Sequence, residues 1–322
     1  MANLSILLLL AGSTQSWSMD HKRVYAKEVL LPPYHQGVLA KDSPLTDMRF
    51  TSKTTLVLTG QTTLWKWDLD TGKLIRLQLI DGKNENSPPL KRVGTDGLSD
   101  FVASDSRLFQ VNWSPKRVLQ YELDVQDRTL GFAGAGDNLW LIRTHNLVRF
   151  DRYTKSISSR FDFQLPESSK VVFDVTKQRL WYLDKREIRY VELATSEHTS
   201  LLCAKLKSDG LDLQIASNEL LALSSTGVMR LSLDGKPIQY IPIEGRRKLR
   251  GMAISGSNHA YLFDDQNVEI YDVSSKTGSA TKLPFSTTDK FVEMRVAQGH
   301  LALLVSGTPH VFSLSSEKPG DE

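Results

Sequence analysis

From residue 47 onward the chain is written in short runs in which apolar and polar residues alternate. "TLWKWD" (63–68) and "KLIRLQL" (73–79) are two of them. A period of two puts successive side chains on opposite faces of an extended backbone, so each run predicts a half-buried β-strand. Turn residues such as Asp70-Thr71-Gly72 separate the runs, which predicts strands joined as hairpins. In the first unit the predicted strands are Asp47 to Thr51, Thr54 to Thr59, Thr63 to Leu69 and Lys73 to Leu79.

The unit recurs. Taking Asp68 as an anchor, equivalent strand ends fall at Asn112, Asp151, Glu192, Ser232, Asp272 and Ser313, at intervals of 39 to 44 residues. One position before the anchors stand Trp67, Val111, Phe150, Val191, Leu231, Tyr271 and Phe312, all apolar or aromatic. Eleven before them stand Val57, Phe101, Trp140, Trp181, Leu221, Tyr261 and Ala302. Equal units of four short strands at this period are the signature of β-propeller blades, and a sandwich would not produce them. The expectation is an all-β, single seven-bladed β-propeller with four antiparallel strands per blade. The aromatic columns then fill the wedges between blades, not a ligand platform. The seventh unit has only nine residues after its anchor and so lacks an outer strand, whereas Arg23 to Pro32 is an alternating strand without a unit. The N-terminal strand is therefore expected to complete the last blade and close the ring. The propeller is assigned to residues 19–316, and 317–322 to a polar tail.

Composition changes this picture little. The chain is 40% hydrophobic and 24% charged, enough apolar residue for a packed soluble domain, and its net charge of +3 is far from that of a dedicated nucleic-acid binder. Residues 1–18 carry an apolar run, Leu4 to Ala11, followed by small polar residues; they predict a signal peptide and an exported protein, periplasmic or extracellular. That run is too short to span a bilayer, so no membrane insertion is expected. The lone Cys203 excludes an internal disulfide and reads as a small buried hydrophobe.

"WDLDTGKLI" (67–75) is similar to the turn of quinoprotein-type propeller repeats, in which an aromatic strand runs into Asp-x-x-Thr-Gly-Lys. The other six turns do not follow it, so the resemblance implies the propeller architecture and no cofactor. More broadly the chain resembles seven-bladed propellers of the WD-repeat and YVTN kind, without the Gly-His and Trp-Asp signatures of the former.

In such a scaffold the loops carry function. The densest basic cluster is "EGRRKLR" (244–250), with Arg246, Arg247, Lys248 and Arg250. Lys185, Arg186, Lys205 and Lys207 on a neighbouring blade would extend it, with His145 nearby, into a basic rim at the channel mouth. The resulting expectation is a monomeric, non-catalytic binding or scaffold module for a protein, peptide or anionic glycan, with no nucleic-acid partner. The alternative is a propeller enzyme, lactonase- or lyase-like, using Asp105, His145, Asp184 and Asp264 around the channel mouth, with or without a divalent cation. The seven histidines are scattered without metal-ligand spacing, and there is no nucleophile elbow or phosphate-cradling loop, so no metal and no cofactor are expected.

Overall fold

A computed structural model describes residues 25–29, 39, 44–79, 89–96, 98–123, 127–135, 138–151, 154, 156–166, 170–194, 199–216, 218–243, 248–254, 260–265, 269–273, 278–283, 285–286, 288–297 and 299–315. The expected signal segment 1–18, Arg246, Arg247 and the tail 317–322 lie outside the described residues.

The described strands form seven four-stranded antiparallel sheets. The first holds β2 (Asp47–Phe50), β3 (Thr55–Thr59), β4 (Thr63–Asp68) and β5 (Leu74–Gln78). The second holds β6 (Arg92–Thr95), β7 (Asp100–Ala103), β8 (Arg107–Trp113) and β9 (Lys116–Glu122). The third runs through β10 (Thr129–Ala135), β11 (Asn138–Arg143), β12 (Asn146–Asp151) and β13 (Ser156–Asp162). In the fourth are β14 (Lys170–Asp174), β15 (Arg179–Asp184), β16 (Glu187–Glu192) and β17 (Ser200–Lys205). The fifth contains β18 (Gly210–Ala216), β19 (Glu219–Ser224), β20 (Gly227–Ser232) and β21 (Pro237–Pro242). The sixth contains β22 (Leu249–Ile254), β23 (Ala260–Asp264), β24 (Glu269–Val273) and β25 (Gly278–Lys282). The last is β26 (Phe291–Ala297), β27 (His300–Val305) and β28 (Thr308–Ser315), joined by β1 (Tyr25–Glu28) on the outer edge of β28. There Tyr25 faces Ser315 and Glu28 faces Phe312, and beyond the strand Val29 N–H donates to Val311 C=O at 2.7 Å. The architecture is an all-β propeller with antiparallel four-stranded blades.

The first strands of consecutive sheets pack on one another, β2 on β6, β6 on β10, and so on to β26, which packs on β2. They are the innermost strands, and the others step outward. The register places the predicted columns as their period requires. Trp65 and Trp67 face one side of the first sheet with Leu56 and Leu58, and pack on Ala302, Leu304 and Val311 of the last sheet. Val57 and Leu64 face the other side and pack on Val93, Val102 and Phe109 of the second. The same division recurs around the ring, so the hydrophobic core consists of wedges between neighbouring sheets. Among the described residues no helix is long and apolar enough to cross a membrane.

The turn that resembled a quinoprotein repeat has a local cause. Asp68 Oδ1 accepts the Thr71 N–H at 2.9 Å, and Gly72 takes φ 66, the left-handed region that glycine enters without a steric penalty. Asp151 and Thr154 make the same bond in the third sheet, also at 2.9 Å. The motif is turn chemistry. Cys203, on the outer strand β17, is half-buried, and burial pushes its thiol up to about 11, away from nucleophilic chemistry.

Trp67 is almost completely buried, whereas Leu98 keeps 75% of its surface exposed. Trp67→Ala should cost about 3–5 kcal/mol in urea unfolding, against less than about 0.5 kcal/mol for Leu98→Ala.

Candidate functional site

The junction between the second and third sheets holds a polar cluster built on Asp127, which lies on the connection entering β10 with only 4% of its side chain exposed. Its Oδ1 accepts the His145 N–H at 3.0 Å and the Thr144 hydroxyl, and its Oδ2 accepts the Asn146 amide. The His145 Nδ1 lies 3.3 Å from the same Oδ1, and the imidazole keeps 57% of its surface exposed. Arg143, buried below them at the end of β11, donates through Nη2 to the backbone carbonyls of Asp127 and Asp105, the latter at 2.7 Å. Asp105 in turn accepts the Thr129 N–H at 3.0 Å and pairs with Lys91. A carboxylate facing Nδ1 favours the tautomer with its proton on that nitrogen and leaves the Nε2 lone pair to accept one from a bound molecule.

Of the four acid and histidine candidates at the mouth, this cluster unites Asp105 and His145. Asp184 closes β15 in the fourth sheet, and Asp264 is fully buried at the end of β23, so the four do not converge. Among the described residues no group of three or more His, Cys, Asp or Glu side chains is placed to hold a metal ion.

Six residues of the expected basic rim are among those described. Arg186 pairs with Asp209 at 2.9 Å, Lys205 with Glu187 at 3.1 Å, and Arg250 with Asp265 at 2.5 Å. Lys207 lies over the Tyr240 ring, 4.7 Å from its centroid. Lys185 takes φ 52 and its carbonyl accepts the Gly210 N–H at 2.7 Å, so its backbone ties the fourth sheet to the fifth. Lys248 is exposed. Acids that stand apart in sequence thus arrive beside three of these cations, Arg186, Lys205 and Arg250.

Sequence reasoning looked only at loops and missed a charged cluster on the innermost strands. Asp47 Oδ1 accepts the Met48 N–H at 2.9 Å, and its Oδ2 reaches the next sheet to accept Val93 N–H at 2.8 Å. Asp212 repeats this with Leu213 N–H at 2.9 Å and Met252 N–H at 3.0 Å, while Gln214 donates to the Met252 carbonyl. From the last sheet, Glu293 Oε2 accepts Met48 N–H at 3.4 Å, Arg295 Nε donates to Met48 C=O at 3.3 Å, and Arg295 also pairs with Glu293. Arg92 Nε donates to Leu130 C=O at 2.8 Å. The signal was present as Asp-Met-Arg (47–49), Asp-Leu-Gln (212–214) and Glu-Met-Arg (293–295), an acid, an apolar residue and a long donor in the first strand of three units. Burial, reinforced by the Asp47 carboxyl beside it, raises Glu293 well above its ordinary carboxyl range, against the pull of Arg295.

No protein-family model matches the chain, and no curated protein matches it in sequence. Solved structures do match in shape. The fold is that of a β-propeller. A streptogramin B lyase structure superposes with a TM-score of 0.68 at 9% identity, over 91% of this chain and 98% of that one. Virginiamycin B lyase from Staphylococcus aureus gives 0.68 at 10% identity, covering 91% and 99%. A catalytically inactive histidine-to-alanine variant of that enzyme with quinupristin gives 0.68 at 11%, again over 91% and 99%. At these identities the likeness is one of fold.

The shift at Glu293 carries a pH dependence. Between its ordinary value of 4.5 and its raised folded value the native state holds a proton that the unfolded chain has released. Stability should therefore fall as pH rises through that window. Glu293→Gln, which keeps the neutral form's shape, should flatten the decline, read as urea midpoint against pH; parallel profiles for the two proteins would contradict the assignment.

Proposed function

We propose that this chain is a closed seven-bladed propeller enzyme of the lyase kind, with its reacting centre at the junction of the second and third sheets and His145 as general base. The observation that carries the reading is the His145–Asp127 pair: an imidazole whose Nδ1 faces a buried carboxylate and whose body stays open to solvent. In an elimination, Nε2 takes a proton from substrate carbon. The released electron pair becomes a double bond, and the bond to the leaving group breaks with its electrons going to that group. Asp127 holds the ring and stabilises the imidazolium that forms. The similar solved structures support this choice, because they are lyases by name and one was made inactive by removing a histidine. The pairing of Arg186, Lys205 and Arg250 with acids weakens the scaffold reading based on a basic rim.

Quinupristin is the probe. Incubated with the purified protein and followed by mass spectrometry, it should be converted to product of unchanged total mass, because a lyase adds no water. His145→Ala should lower the rate by about 100-fold or more, with Asp127→Asn in between. An absence of turnover by the wild type, a product heavier by one water, or full activity in His145→Ala would each overturn the reading.

A further inference from the structure

Among the described residues of the inner cluster, Arg49 is a cation that its neighbours do not engage by hydrogen bonds. Arg49 on β2 and Arg295 on β26 stand at matching places in adjacent sheets, opposite Val57 and Ala302, which are equivalent positions of the repeat. The two strands pack on each other, and the two guanidiniums repel. Arg295 is engaged by Met48 C=O and Glu293, and Arg92 by the carbonyls of Leu130 and Lys91. Arg49 donates a hydrogen bond to no described residue, although a guanidinium offers five N–H donors. The acids that feel its charge hold other donors: Asp47 binds two backbone N–H groups, Glu293 holds Arg295, and Asp100 accepts the Trp113 indole N–H at 2.7 Å.

The third sheet leaves room at the same level. At the position where the first, second, fourth, fifth and last sheets carry Asp47, Arg92, Lys170, Asp212 and Glu293, and the sixth carries Gly251, it carries Gly131, and a Cβ built there meets nothing within 4 Å. The following inward position is Ala133. Charged residues thus stand around the ring axis at this level, and the third sheet leaves space beside them.

We propose that the axis of the ring binds a small oxyanion, a carboxylate or phosphate group, on the guanidiniums of Arg49 and Arg295. A planar fork of donors matches two oxygens of such a group, and the anion relieves the repulsion between the two cations. The local electrostatics agree: burial and Arg295 depress Arg49, and Glu293 is held toward its neutral form, which removes a competing negative charge. This site is separate from His145 and stands whether or not the lyase reading does.

Isothermal titration with sodium succinate and with sodium phosphate, in chloride of constant ionic strength, tests it. At least one should bind the wild type saturably. Arg49→Gln should weaken that binding by about tenfold or more, and Lys116→Gln, a surface change of equal charge on β9, should leave it unchanged. Succinate alone would identify a carboxylate site, and phosphate alone a phosphate site. Should Arg49→Gln fail to fold, phenylglyoxal labelling of the wild type reads the same contact, because the bound anion should protect the Arg49 peptide. No saturable binding up to about 10 mM, equal binding by a folded Arg49→Gln, or unprotected labelling of Arg49 would overturn the proposal.

Discussion

Every sheet in this ring presents the free edge of its first strand toward a shared axis, and that edge carries backbone N–H and C=O groups that no strand pairs. A buried group of this kind left without a partner costs about 1–3 kcal/mol. The molecule meets the constraint with side chains. Asp47 and Asp212 each take one N–H from their own strand and one from the next sheet, and Gln214 and Arg295 return hydrogen bonds to the facing carbonyls. An acid followed two positions later by a long donor thus copies, in side-chain atoms, the donor and acceptor that a neighbouring strand would have offered. The apolar wedges hold the sheets at the right angle, but these contacts fix how far one inner strand slides along the next.

The same chemistry explains why charge is tolerated on the innermost strands of an all-β ring. Arg295 pairs with Glu293, and Asp47 binds two backbone N–H groups, so each of these side chains has a partner. The arrangement is uneven around the ring: the first strands of the first, second, fourth, fifth and last sheets carry a charged residue at this level, and the third carries Gly131 and Ala133. The Asp127–His145 cluster sits on the connection into that glycine-bearing strand, a different place built by a different device, a buried carboxylate organising the turn between β11 and β12.

The strands were legible because their cause is local. Alternation, turn residues and the columns of Trp67, Trp140 and Trp181 lie in the order in which they are read, and β2 to β5 fall within a residue of the runs marked in the sequence. The site was legible only in part. His145 stood out as a turn residue, but Asp127, eighteen positions earlier across a sheet junction, did not. The inner acids were hidden for another reason: a charge in a strand reads as the solvent face of a half-buried pattern, and nothing in a single unit says that its first strand will face the first strand of the next sheet. The partners of the basic residues were hidden as well. Arg186 and Arg250 look unopposed in sequence, and only folding brings Asp209 and Asp265 against them.

The pairing of β1 with β28 makes the last sheet the one element assembled from both ends of the chain. Six sheets can form from neighbouring segments as soon as those exist, but the seventh closes the longest loop the molecule contains, with the largest entropic cost of any contact in the fold. Until then β28 offers a bare, strand-hungry edge. The fold is thus divided in time as well as in space: its interior can be complete while its perimeter still awaits its first strand, and a second copy's β1 would fit that edge as well as its own.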